Sequence, residues 1–152
     1  MSDPITFDSV SPRLGLPLLF AGQAQKEAFV NEALSILDGL SHAAIEAEQA
    51  APPAAPLDGQ AWLIASGASD DWSGRAGQVA LRQGGQWLYV APRDGMRLLN
   101  AATGQDLRRV GGAWRKATAL APPSGGTVVD AEARNAIAAI FSAMQQAGIF
   151  PL

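Results

Sequence analysis

The sequence predicts an α+β fold with an N-terminal helix, a small antiparallel β-meander domain and a C-terminal helix. Three observations predict it. Apolar residues recur at helical spacing near both ends of the chain, whereas residues 60–116 alternate short apolar runs with glycine-rich turns. A strand, Gly-Gly, strand-with-Trp unit occurs twice, as "VALRQGGQWLYV" and "DLRRVGGAWRKA". Proline-rich stretches, "APPAAPLDG" and "TALAPPSGGTVV", separate these regions. The implied organisation is an arm and helix over 1–50, a β domain over 51–118, and a linker and helix over 119–152.

Residues 1–19 carry Pro4, Pro12 and Pro17 and read as an extended arm, with "LGLPLLF" apolar enough to need a cover. The next stretch, "FAGQAQKEAFVNEALSILDGL", predicts a helix from about Gln23 to His42, with a possible extension to Gln49. Phe29, Ala33, Ile36 and Leu40 form an apolar stripe that Val30, Leu34 and Leu37 widen. Beyond the prolines, five or six short strands follow. Gly-Gly accepts the positive φ of a tight hairpin turn, and Trp87 and Trp114 each stand two residues after the glycine pair. The two hairpins read as a short internal repeat. Asp130 is placed to cap the last helix, Glu132 suits its first turn, and Gly148 suits its end. Ala133, Ile137, Ile140, Met144 and Ala147 repeat at heptad-like spacing along it.

One small sheet does not supply enough surface for two striped helices and an apolar arm. Self-association around an axis, burying Phe29, Ala33, Ile36 and Leu40 with Ile137, Ile140 and Met144, is the expected remedy. Pairing of the two helices within one chain is the alternative.

In 152 residues the formal net charge is -3, which lacks the clustered basic charge of a nucleic-acid binder. There is no cysteine and one histidine, His42. That inventory offers no thiol nucleophile, no recognisable catalytic triad, no histidine-rich metal site and no cofactor motif. Asp70 and Asp71 are sequence neighbours, which seldom face each other across a sugar as glycosidase carboxylates do. No catalytic residue, metal or cofactor is expected. The start lacks a signal-peptide pattern and no apolar run approaches a membrane span, so synthesis in the cytoplasm without membrane insertion is expected. Trp72 stands in the polar loop "SDDWSG" beside Asp70, Asp71 and Arg75. An accessible indole there suits stacking on a sugar ring. Arg97, with Arg93, could meet an anionic glycan, with plain solvated surface as the favoured alternative. Capping of the sheet's end is the packing alternative for Trp72.

"RLGLPLLFAGQAQKEAFVNEALSILDGL", followed by a Pro-rich turn and "GQAWLIASGASDDWSGRAGQVALRQGGQWLYVAPRDGMRLL", resembles the DUF2793 family of phage-related proteins. The words "GQAQKE" and "NEAL" at fixed spacing carry the resemblance, which spans about 11–115, and "VVDAEARNAIAAI" resembles the closing helix of such proteins. The resemblance implies a non-enzymatic virion component, a capsid spike or tail-fibre subunit of a phage-like particle or gene transfer agent. Homotrimerisation, capsid or tail proteins as partners, and attachment to host capsule polysaccharide follow from it. A pure assembly adaptor and a capsule-degrading enzyme are the alternatives. The family carries no catalytic residues that can be transferred to this chain.

Overall fold

The computed structural model of the chain describes residues 9–22, 26–127 and 129–152. Among the described residues, two α-helices and two sheets make an α+β protein. The chain divides into two compact units, one ending at Pro92 and the other spanning Arg93–Leu152. This boundary falls inside the single β domain expected over 51–118, at the turn between the two hairpin-bearing segments.

In the first unit, helix α1 spans Lys26–Ser41. The expected start at Gln23 lies outside the described residues. The expected extension to Gln49 does not form: β1 (Ala44–Ile45) and β2 (Ala47–Gln49) follow the helix directly. β2 pairs in parallel with β3 (Ala61–Ile64), so the sheet is mixed rather than an antiparallel meander. β3, β4 (Val79–Gln83) and β5 (Gln86–Val90) continue it in antiparallel order. Ala61, Leu81 and Leu88 lie in register on one face, and Trp62, Ala80 and Tyr89 on the other.

The arm is held in a way its composition does not suggest. Val10, Leu14 and Phe20 stay exposed. The inward side of α1 is polar, and it grips the arm's backbone. Asp38, 2% exposed, accepts from the Arg13 N–H at 3.0 Å and the Leu14 N–H at 2.6 Å. Asn31 accepts from the Leu19 N–H at 2.8 Å and donates to the Leu19 carbonyl at 2.9 Å. The Arg13 guanidinium donates to the carbonyls of Gly39, Gly59 and Ala44. These bonds satisfy backbone polar groups that would be costly to bury unpaired. Gly39 allows the helix to approach β4, since a Cβ there would sit 2.6 Å from Leu81 Cδ1.

The second unit holds β6 (Arg97–Asn100), β7 (Gln105–Val110) and β8 (Ala113–Arg115) in antiparallel sequence. Helix α2 spans Ala131–Gln146. Asp130 caps it as the sequence implies, its carboxylate accepting from the Ala133 N–H at 2.8 Å. Gly148 has φ +68, its N–H donates to the Gln145 carbonyl, and that of Ile149 to the Met144 carbonyl. That bonding pattern is a Schellman ending.

The internal repeat is longer than the two hairpins. Each three-strand segment opens with Pro-x-Asp-Gly, at Pro56–Gly59 and at Pro92–Gly95. Gly59 and Gly95 have φ of +88 and +97, and their N–H groups donate to the carbonyls of Arg82 and Arg109 respectively. Each Gly-Gly turn is tied to the aspartate of its own segment. Gly85 donates to Asp58, whereas Gly111 and Gly112 donate to Asp94. Arg82 stands opposite Trp87 and over its ring at 5.0 Å, and Arg109 stands opposite Trp114 and over its ring at 5.8 Å. The segments differ in the link between their first two strands, which runs over 65–78 in the first and only 101–104 in the second.

Candidate functional site

The 65–78 link is the loop whose tryptophan the sequence singles out. A short 3₁₀ turn, Asp70–Trp72, swings the indole inward. Trp72 is 0% exposed and packs with Trp62 and Trp87, its ring centroid 6.3 Å and 5.2 Å from theirs. The expectation of an accessible ring is thereby corrected: the indole fills the sheet's core and offers no face to a sugar. The polarity of "SDDWSG" misleads because every residue of it but Trp72 is exposed, while Trp72 turns under. Asp70 holds φ at 52, left-handed backbone that an aspartate tolerates better than most residues. Arg75 also turns to the sheet, with its guanidinium 3.8 Å from the Tyr89 ring centroid. The Tyr89 hydroxyl donates to the Asp71 carbonyl at 2.7 Å. Burial pushes the Tyr89 phenol above its ordinary value, opposed by the Arg75 charge and reinforced by Asp71. Asp70, Asp71, Trp72 and Arg75 thus form a latch over the Trp cluster.

The helix stripes are largely uncovered. Phe29 is 80% exposed, Ala33 is exposed, and Ile36 and Leu40 are half-buried. None of the described residues of α2 is buried. Ile137 and Ile140 are exposed and Met144 is half-buried. Near the start of α2, Arg134 donates to the carbonyls of Pro123 and Gly125, and the helix's last turns meet the C-terminal residues. Phe141 and Phe150 pack together, and Gln145 donates to the Pro151 carbonyl.

Arg97 sits in a setting that single-residue inspection does not reveal. It is paired in register with Arg108, and Arg108 with Arg115. Three guanidiniums therefore cross three adjacent strands on one exposed face. They line a groove of about 430 Å³ with Asp106, Lys116 and Gly148. Arg93, on the turn before β6, does not line it. The signal was present in the sequence. A two-residue Gly111-Gly112 turn sets Arg108 opposite Arg115 as soon as the hairpin is counted outward from it.

These features define a duplicated three-strand β unit framed by two helices, with an apolar stripe on each helix and one cationic sheet face. The chain belongs to the family described as "Protein of unknown function (DUF2793)", whose model matches residues 30–115. The match begins within α1 and ends at β8, so it takes in both repeats but not the arm, the "GQAQKE" word or α2. No curated protein matches the chain. Among the described residues no helix is long and apolar enough to cross a membrane.

Proposed function

We propose that the chain is a non-catalytic structural subunit of a phage-like particle or gene transfer agent. In this reading it is a capsid spike or fibre component that assembles as a homotrimer, joins capsid or tail proteins after synthesis in the bacterial cytoplasm, and aids attachment to host capsule polysaccharide. One observation carries the reading: α2 has a heptad-spaced stripe, Ala133, Ile137, Ile140 and Met144, and no buried residue. Isolated helices of this length are marginal in water, because nucleation is costly and packing supplies most helical stability. A sustained stripe of this spacing is matched by parallel copies of itself. The outward stripe on α1 supports the same reading, since its inward side is already occupied by the arm.

Native mass spectrometry at micromolar concentration tests this. Three chains are expected for the unmodified protein and a smaller assembly for Ile140→Asp, with the β signature of the circular dichroism retained. A single-chain mass for the unmodified protein, or its absence from purified particles probed with antibody, overturns the proposal.

A further inference from the structure

The two repeats place different chemistry at equivalent positions. Counting from Pro-x-Asp-Gly into the first strand, Ala61 corresponds to Arg97. Counting outward from the Gly-Gly turns, Leu81 corresponds to Arg108 and Leu88 to Arg115. In the first repeat these three positions form one apolar row, and α1 approaches it at Leu81 through Gly39. In the second repeat the same row is arginine throughout and stands exposed.

Adjacent strands lie about 4.8 Å apart, and like charges directly opposite one another destabilise a sheet. A solvated face needs only scattered charges of mixed sign. Three arginines in register concentrate positive charge on one line, an arrangement that a bound anion stabilises. Guanidinium forks bind carboxylate, sulfate or phosphate with paired hydrogen bonds. The groove is not uniformly cationic, however. Asp106 lines it too, and the chain as a whole carries a net charge of -3. A phosphodiester backbone without hydroxyls meets repulsion at Asp106 and offers it no donor. A polymer whose acid groups stand among hydroxyls offers one, since Asp106 accepts from a hydroxyl while the arginines take the acid groups.

We propose that the row Arg97, Arg108 and Arg115 is a binding groove for the acid groups of an anionic polysaccharide. This deepens the attachment reading above and rests on it only for where the polysaccharide is met.

The test titrates the full-length protein by calorimetry with oligogalacturonate as the polyuronate probe, neutral dextran of matched size, and single-stranded poly(dT). Oligogalacturonate is expected to bind with an affinity that falls as salt rises, and dextran not to bind. Arg108→Met is expected to weaken binding about 10- to 100-fold, the range for losing a charged hydrogen-bond partner. Arg93→Met, which removes the same charge outside the groove, should change it less than about twofold. The groove is overturned by equal losses in both variants, by no oligogalacturonate binding, or by tighter binding of poly(dT). A cell-attachment assay with particles carrying each variant separates the two proposals. Attachment that needs the protein, while Arg108→Met leaves oligogalacturonate binding intact, sinks the groove alone. Arg108-dependent oligogalacturonate binding, with attachment unchanged by Arg108→Met, sinks the attachment reading and leaves the groove standing.

Discussion

The first repeat and the second share a backbone plan and part company in what covers them. Both open on a positive-φ glycine, both turn on Gly-Gly tied to an aspartate, and both set an arginine over a tryptophan. In the first, the 65–78 link brings Trp72 under one face and α1 lies against the other. Its sheet residues are accordingly Trp62, Leu63, Ile64, Val79 and Leu81, all buried. In the second, the link is a short turn, Leu98 and Leu107 are buried, and the opposite face carries the arginine row. Local sequence chooses the hairpin, and the neighbours of each face choose whether it is core or surface.

Exchanging residues between equivalent positions is the strongest way to break that comparison. Leu81→Arg introduces into the first repeat what the second already carries, but under α1, where the position is 4% exposed. An unpaired charge there should cost about 3–5 kcal/mol, read as a lower urea midpoint. The reverse exchange, Arg108→Leu, should stay within about 0.5 kcal/mol. Similar costs for both would show that the faces are not different in kind.

Removing the latch is the next test. Trp72→Ala should lower stability by about 3–5 kcal/mol, with loss of near-ultraviolet dichroism from the Trp62, Trp72 and Trp87 cluster. A loss below about 1 kcal/mol would mean that the first repeat does not depend on its cover.

Tyr89 gives the smallest effect. Its pKa is raised above 10.0 in the fold, so folding favours the neutral phenol. That contribution is whole below the ordinary value and is lost as pH rises through the raised one. Stability should therefore decline on the alkaline side of pH 10.0 and not below it. Tyr89→Phe should flatten this decline while removing about 0.5–1.5 kcal/mol at neutral pH, for the lost bond to the Asp71 carbonyl. Thermal melts across pH 8–11 compare the two proteins.

Much of the fold was legible in residue order. Asp130 and Gly148 bracket α2 as helix chemistry requires, and each Gly-Gly pair fixes a two-residue hairpin and hence its register. What escaped depends on contacts distant in sequence. Ala47–Gln49 looks like a helical continuation, yet pairs in parallel with β3 because the chain has already turned at His42. The grip of α1 on the arm escaped as well: Asn31 and Asp38 spend their polar groups on the arm's backbone, while Phe29 and Leu37 stay exposed. Trp72 sits in polar company, and only the space beneath the loop decides which way its ring points. The arginine row could have been read, since hairpin register alone aligns two of its three members.

The duplication has a consequence for how such a protein changes over time. A buried position admits few replacements, so Ala61 and Leu81, the latter under α1, tie the first copy to its present residues. The matching positions of the second copy stand exposed, and substitutions there fall in the near-neutral range for stability. One copy can hold the architecture while the other samples new charges and shapes on its outer surface, with no need to refold.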